Sequence, residues 1–249
     1  MKIIFLGTNG WYDTATGNTI CILIRANEFD IVLDAGIGLH KLDNYIVNQD
    51  EKPVYLFLSH LHLDHVYGLH TLVKFHFSRG MTICIPPGTK SALNLLVNEP
   101  YTVPLAGLPY PVKILELPEE GGRLPFKTEA KALVHKSVTF GYRIAADGFI
   151  VSYCPDTGYC ANAVSLSRQA DLAITECAYK SGQSNESWPH LNPEEAARIA
   201  KEAKAARLAM VHFAASTHPA LSDRRESENA ARRVFPNTIA ALDGMEIDF

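Results

Sequence analysis

The chain has 249 residues, of which 47% are hydrophobic and 20% are charged, and its formal net charge is -4. These values are typical of a globular α/β protein with a large core, organised as one large domain or two small ones. The mildly acidic charge offers no basic surface for a polynucleotide, and no apolar run reaches the ~20 residues of a membrane span.

The first half of the chain predicts β-strands with short helices between them. Apolar runs predict strands at residues 2–7, 19–26, 29–34, 54–58 and 82–85. Helical patterns cover residues 39–47, 66–77 and 91–97. Residues 98–125 are rich in Pro and Gly, which predicts a long irregular connection with one strand candidate at 112–117.

The second half repeats this alternation. Strands are predicted at residues 130–135, 138–145, 149–153, 171–175, 208–212, 238–242 and 245–247. One helix is expected to begin at Pro193 with Asn192 as its N-cap, and another covers residues 222–234. Two batches of strands with helices between them predict two packed sheets with helices outside. Because no repeat, low-complexity tract or linker divides the chain, we expect one domain over residues 1–249.

The cysteines indicate the cellular compartment. Their number, five, is odd, and they lie mostly in predicted strands, which favours buried free thiols in a reducing environment. Cys154 and Cys160 lack the Cys-x-x-Cys spacing of zinc ligands. The first residues form an apolar run that is too short for a signal peptide. We therefore expect a cytoplasmic protein that does not bind membranes.

The segment from His60 to His65, with the sequence His-Leu-His-Leu-Asp-His, is the strongest chemical feature of the chain. It follows the predicted buried strand 54–58. If that strand continued, His60 and His62 would point the same way and could bind one ion. Asp64 and His65 follow them, where a turn could direct both side chains at a neighbouring ion. This spacing of imidazoles and a carboxylate predicts a metal site.

Three further polar residues end or follow predicted strands. His135 ends the strand 130–135, Asp156 follows the strand 149–153, and His212 ends the strand 208–212. Functional residues of α/β proteins gather at strand ends, where loops bring distant side chains together over a rigid base. We therefore expect these three residues to complete the metal site.

The complete ordered set of these residues resembles the metal ligands of the metallo-β-lactamase superfamily. Residues 5–8 and 31–36 are similar to the opening strands and the acidic turn of that family. The resemblance covers nearly the whole chain. It implies a four-layer αββα sandwich, in which two mixed β-sheets lie face to face with helices outside.

Within the superfamily, the chain is most similar to the ribonuclease Z branch. Residues 175–178, 190–197, 235–238 and 241–244 resemble segments of that tRNA-processing enzyme. Ribonuclease Z carries a long arm for gripping tRNA, usually between the equivalents of His135 and Asp156. Only twenty residues separate these two positions here. The missing arm and the acidic charge disfavour tRNA as a substrate.

The resemblance implies two divalent metal ions that share a hydroxide. The ligands would be His60, His62 and His135 for one ion, Asp64, His65 and His212 for the other, and Asp156 as the bridge. These ligands suit Zn²⁺, and the same set accepts Mn²⁺ or Fe²⁺. Two such ions can clamp both the attacking and the leaving oxygen of a displacement.

The resemblance also implies catalytic roles for three residues. Asp64 would orient the attacking water, and His190 would stabilise a phosphoryl group or protonate the leaving oxygen. Glu176 would hydrogen-bond a ligand or His190, although a solvated carboxylate at a strand end is an equally good interpretation. His218, in a loop near the expected site, is left open as a substrate contact.

Three hypotheses for the function follow. The first is a phosphodiesterase acting on a small molecule or a short oligonucleotide. The second is a hydrolase of carboxyl esters, lactones or thioesters that uses the same metal centre. The third is a metal-binding sensor without catalysis, which the large ligand set disfavours because structural sites close with four ligands. A homodimer is compatible with each of them.

Overall fold

The structure is a computed structural model that describes residues 1–46 and 52–249. Its strands, in chain order, are β1 (Lys2–Gly7), β2 (Asn9–Gly10), β3 (Cys21–Arg25), β4 (Asp30–Leu33), β5 (Val54–Phe57), β6 (Met81–Ile85), β7 (Val112–Glu116), β8 (Thr128–Ala132), β9 (Phe140–Ala146), β10 (Phe149–Cys154), β11 (Leu172–Glu176), β12 (Leu208–Val211), β13 (Phe213–Ala214), β14 (Thr238–Ala240) and β15 (Glu246–Asp248).

The α-helices are α1 (Leu63–Val66), α2 (Lys90–Leu96), α3 (Ala161–Leu166), α4 (Pro193–Ala203) and α5 (Leu221–Val234). Helices of the 3-10 type cover Ile37–Asn44, Tyr67–Lys74, Leu105–Gly107 and Gly121–Arg123. Within residues 1–46 and 52–249, none of these helices combines the length and the apolar content that crossing a membrane requires. The predicted surface connection 98–125 contains the expected strand, β7.

Two large mixed sheets form the centre of the fold. The first has the strand order β15-β1-β3-β4-β5-β6-β7, and the second has the order β14-β12-β11-β10-β9-β8. Strands β2 and β13 pair separately in a short parallel ribbon. Each large sheet contains both parallel and antiparallel pairs. This arrangement confirms the predicted α/β class.

The alternation of side chains along β1 shows how the layers are built. Ile3 and Phe5 pack in the cluster that joins the two sheets, whereas Ile4 and Leu6 pack in a second cluster with the helices outside the first sheet. Successive side chains of a strand point to opposite faces, so a strand that is apolar throughout is buried on both sides. A third cluster lies between the second sheet and α3, α4 and α5. The layers are therefore helices, sheet, sheet and helices, as the resemblance implied.

Two segments predicted as long helices are mostly 3-10 helices. The segment 66–77 is divided between α1 and the 3-10 helix Tyr67–Lys74. The described part of 39–47 lies largely in the 3-10 helix Ile37–Asn44, and residue 47 lies outside the described residues. A Cβ atom on Gly68 would lie 2.2 Å from the carbonyl oxygen of Gly36. This close approach of two backbones is a tertiary constraint that the apolar pattern does not contain.

Other local predictions have mixed outcomes. Helix α3 was not predicted, because its six residues are too few for a clear apolar period. All five cysteines are free, and four of them are buried, which confirms the predicted thiols.

Helix α4 begins as predicted, with Asn192 at the N-cap and Pro193 directly after it. The Asn192 side chain accepts a hydrogen bond from the backbone of Glu195, whose carboxylate accepts one from the Asn192 backbone.

We predict that Asn192→Ala lowers the free energy of unfolding by about 1 kcal/mol, because it leaves a helix N–H without its acceptor. Urea unfolding, followed by circular dichroism, measures this change. Asn192→Ser is the matched control, since its hydroxyl keeps an acceptor and should retain most of the stability. Equal unfolding midpoints for the wild type and both variants would contradict this role of the cap.

Candidate metal centre

The histidine motif leaves the first sheet in a turn and not on a strand. Strand β5 ends at Phe57, and His62 is the N-cap residue of α1. The strand therefore does not continue through His60 and His62, which was the condition for their alternation. Their rings nevertheless lie together, with centroids 4.5 Å apart. The turn into α1 also brings Asp64 and His65 to the same place.

The second sheet contributes the other three predicted ligands. His212 directly follows β12, and Asp156 lies two residues beyond β10. The prediction that His135 ends a strand is wrong, because β8 already ends at Ala132. The intervening residues form a bend that carries the His135 ring to within 5.1 Å of the His62 ring, measured between centroids.

The potential ligand atoms form overlapping groups, in each of which they lie within 4.8 Å of one another. One group contains His60, His62, His135 and Asp156, and a second contains Asp64, His65 and His212. A third group contains Asp156, His190 and His212. All seven predicted ligands thus meet where the two sheets adjoin, with Asp156 next to both sets of histidines.

Unsatisfied polar atoms in this cluster fit bound metal. His60 Nε2 and Asp156 Oδ1 are buried and have no hydrogen-bond partner among the described residues. His60 Nε2 lies 4.0 Å from Asp156 Oδ2. Burial, with the nearby His65, holds the pKa of His60 well below its usual range, so its ring is neutral and has a lone pair for a cation.

Asp34 orients one of these histidines from behind. Its carboxylate accepts hydrogen bonds from the Ser59 backbone at 2.7 Å, from the Ser59 hydroxyl at 2.8 Å and from the Tyr153 hydroxyl at 2.6 Å. His65 Nδ1 also lies 2.8 Å from Asp34 Oδ2. This contact leaves His65 Nε2 facing the cluster, 3.1 Å from Asp156 Oδ1 and 3.1 Å from His212 Nε2. A carboxylate behind a histidine fixes the tautomer and the direction of the free nitrogen.

Three of the six described residues other than Gly that have a positive φ lie at the same place. Asp34, Trp11 and His212 have φ angles of 55°, 75° and 51°, a region that side chains other than Gly rarely adopt. The Trp11 backbone N–H donates to Asp64 Oδ2 at 2.8 Å. A Cβ atom on Gly10 would lie 2.4 Å from the His212 ring, so the ribbon of β2 and β13 packs directly on this histidine. Such strain persists only where the surrounding contacts impose it.

Glu176 is fully buried at the end of β11, so its interpretation as a solvated carboxylate is wrong. It accepts hydrogen bonds from the backbones of Thr157 and Ala178 at 2.6 and 3.1 Å. The His190 Nδ1 atom lies 2.7 Å from Glu176 Oε1. Burial lowers the pKa of His190, but the charge of Glu176 and the hydrogen bond to it outweigh burial and raise the pKa to about 9.

The cluster opens into a cavity of about 660 Å³. Trp11 and Trp188 line this cavity, and the sequence interpretation had not identified either of them. A Trp two residues before His190 was the available signal. His218 does not line the cavity; its ring is buried, with Nε2 3.0 Å from the Ser227 hydroxyl. In this structure His218 is therefore not placed to contact a substrate in the cavity.

Comparison with known proteins agrees with this geometry. Residues 30–213 match a family described as the beta-lactamase superfamily domain. The chain belongs to the β-lactamase superfamily. This result confirms the resemblance found in the sequence. A metal-dependent hydrolase is the general class that the superfamily and the His/Asp cluster support.

Two relatives and one protein of the same fold show which superfamily members this chain is similar to. A probable metallo-hydrolase, YhfI of Bacillus subtilis (strain 168), is 28% identical over 219 residues, covering 86% of this chain and 87% of the relative. The crystal structure of YhfI matches with a TM-score of 0.80 at 24% identity, covering 99% of both chains. A diphosphatase from the PhnP family shares the fold, with a TM-score of 0.71 at 15% identity, covering 100% of this chain and 97% of that one.

Ribonuclease Z of Bacillus licheniformis is 25% identical, covering 99% of this chain and 98% of the relative. That alignment spans 315 positions, whereas this chain has 249 residues. Ribonuclease Z therefore contains segments that this superfamily member lacks. The short connection between His135 and Asp156 is one place where no long insertion is present.

We predict that Zn²⁺ stabilises the protein against heat, because an ion held by the cluster binds the folded state and not the unfolded one. At 100 times its Kd the ion should add ~2.7 kcal/mol, or about 5–10 °C in Tm. Differential scanning calorimetry with Zn²⁺ and with a chelator measures the difference. His60→Ala should remove most of the gain, whereas His70→Ala, on an exposed histidine outside the cluster, should keep it. A metal-dependent Tm that is the same in both variants would place the ion elsewhere.

Proposed function

We propose that this protein is a binuclear metal-dependent phosphodiesterase formed by residues 1–249 as one domain. His60, His62 and His135 would hold one ion, and Asp64, His65 and His212 the other, with Asp156 between them. Bound there, Zn²⁺, Mn²⁺ or Fe²⁺ would supply an activated water and neutralise charge on the phosphoryl group. The proximity of the two ligand groups and the unsatisfied atoms of His60 and Asp156 support this assignment.

The pairing of His190 with Glu176 is the observation that carries the proposal of phosphoester chemistry. Hydrolysis of a phosphodiester needs a proton for the leaving oxygen and positive charge near the phosphoryl oxygens. With Nδ1 held by the buried Glu176, the Nε2 of His190 is the ring nitrogen left for a substrate in the cavity. A pKa of about 9 keeps this imidazole protonated at neutral pH, as both tasks require.

Asp64 is suited to position water. Burial raises the pKa of Asp64, but His65 and His212 outweigh burial and hold it well below its usual range. The carboxylate is thus ionised and accepts the Trp11 N–H. An ionised carboxylate held in this way can accept a hydrogen bond from a water molecule and so orient it for attack.

The substrate we propose is a small phosphoester or a short oligonucleotide. The acidic net charge, the short connection between His135 and Asp156 and the limited volume of the cavity support a small substrate over tRNA. Ribonuclease Z, whose name denotes an RNA substrate, supports hydrolysis of a phosphodiester as the reaction class.

We predict that the Zn²⁺-loaded protein hydrolyses bis-p-nitrophenyl phosphate and that His190→Ala lowers kcat by ~10²–10⁴-fold, the usual contribution of general acid catalysis. Release of p-nitrophenolate measures the rate. A parallel assay with p-nitrophenyl acetate and an acyl-lactone tests the acyl alternative. Full activity of His190→Ala, or faster turnover of the lactone than of the diester, would refute the proposal.

We predict that Glu176→Gln shifts the pH profile of kcat. As an acid, His190 acts while it is protonated, so kcat falls as the pH rises through its pKa. Removing the Glu176 charge removes the main factor that raises this pKa, and the fall should begin at a lower pH than in the wild type. Rates measured from pH 6 to 10 give the profile. An unchanged profile with a uniformly lower kcat would indicate that Glu176 has only a structural role.

A further inference from the structure

Both tryptophans of the chain lie at one cavity. The sequence contains two Trp residues, and both line the cavity above the candidate metal centre. Trp11 is 68% exposed and Trp188 is 46% exposed. Large aromatic side chains bury much apolar area when they can, so two exposed rings at one opening need an explanation.

Trp188 lies over the first group of potential ligands. Its ring is stacked on the His62 ring, with centroids 6.3 Å apart and planes 3° from parallel, and it meets the His135 ring edge-on at 5.9 Å. The Tyr179 hydroxyl donates to the Trp188 carbonyl at 2.6 Å, and the Trp188 N–H donates to the Asn185 carbonyl at 3.2 Å. The hydrogen bonds hold the Trp188 backbone, and the contacts with His62 and His135 place its ring, while the residue stays 46% exposed.

Trp11 lies beside the second group. Its backbone N–H is bonded to Asp64, which fixes the residue at the edge of the cluster. The loop behind it is tied by the Asn9 amide, which donates to the Tyr12 carbonyl, the Thr14 hydroxyl and the Gly17 carbonyl at 3.2, 3.0 and 2.9 Å. Each group of potential metal ligands therefore has next to it one exposed Trp whose backbone is held by hydrogen bonds.

The charges around the cavity restrict its ligand further. Among the described residues that line the cavity, none is Lys or Arg, while Asp64 and Asp156 are acidic. A ligand with several phosphate groups would have no cationic side chain there for its additional charges. A phosphodiester carries one negative charge, which the proposed ions and His190 can neutralise.

We propose that Trp11 and Trp188 bind planar aromatic ester groups of a singly charged phosphodiester, so that the substrate is an aryl or nucleoside diester of about mononucleotide size. This inference depends on the proposed function for the position of the phosphoryl group. Stacking on an aromatic side chain tolerates different rings because each presents a π-face, which fits either a nucleobase or a simple aryl group.

A substrate series with a constant leaving group tests the inference. Methyl, phenyl and thymidine-5′ esters of p-nitrophenyl phosphate release the same p-nitrophenolate and differ only in the second group. We expect kcat/KM to be about tenfold higher for the phenyl and thymidine esters than for the methyl ester, mainly through KM. The phenyl and thymidine arms distinguish a general aryl site from one that prefers a nucleobase.

Variants at the tryptophans complete the test. Trp188→Ala should reduce the preference for the ring-bearing esters to nearly one, and Trp188→Phe should restore most of it. Trp11→Ala and Trp11→Phe form the second pair. Tyr101→Ala is the matched control, because Tyr101 is also 68% exposed but does not line the cavity. A preference that persists in both alanine variants, or that Tyr101→Ala removes equally, would overturn the inference.

A binding measurement separates this inference from the proposed function. Tryptophan fluorescence reports on Trp11 and Trp188 alone, and it is read on the Zn²⁺-loaded protein, where it detects binding of a diester whether or not that diester is hydrolysed. Diphenyl phosphate should quench this fluorescence at a concentration at least tenfold lower than dimethyl phosphate does. Equal responses would refute the stacking site. Tight binding of diphenyl phosphate without turnover of any diester by the metal-loaded protein would instead refute the phosphodiesterase and leave the aromatic site in place.

Discussion

The carboxylate of Asp34 joins the two sheets at the candidate metal centre. It accepts hydrogen bonds from Ser59, next to the histidine motif, and from Tyr153 of β10 in the second sheet. It also contacts His65 directly. Because the carboxylate is fully buried, loss of any of these partners would leave part of a charge unsolvated. This one residue therefore couples the packing of the sheets to the direction of a potential ligand.

The same principle applies to two other residues of the site. A second contact fixes the direction of each: Glu176 for His190, in the segment before α4, and the β2–β13 ribbon for His212, directly after β12. The protein's own contacts thus fix the directions of these side chains. Preorganisation of this kind reduces the reorganisation required during a reaction.

Features with local determinants could be predicted from the sequence. Helix α4 was predicted because Asn192 and Pro193 mark its beginning in consecutive residues. The seven ligand candidates were identified by residue type and order, but the turn that carries His60 and His62 away from the first sheet was not predicted. That turn leads into α1, where the His65 carbonyl accepts the Ala35 N–H from the turn after β4 at 2.8 Å, a contact between distant parts of the chain. The roles of Asp34 and Trp188 depend on contacts with residues distant in the sequence. No local pattern of residues predicts such contacts.

The division of ligands between the sheets has a consequence for how the protein comes apart. His60 follows the first sheet and Asp156 the second, and about a hundred residues of chain lie between them. An ion shared by these side chains would act as a reversible cross-link across the central interface, much as a disulfide closes a long loop. Separation of the sheets would then require loss of the ion, so the bound metal would slow unfolding as well as stabilise the folded state.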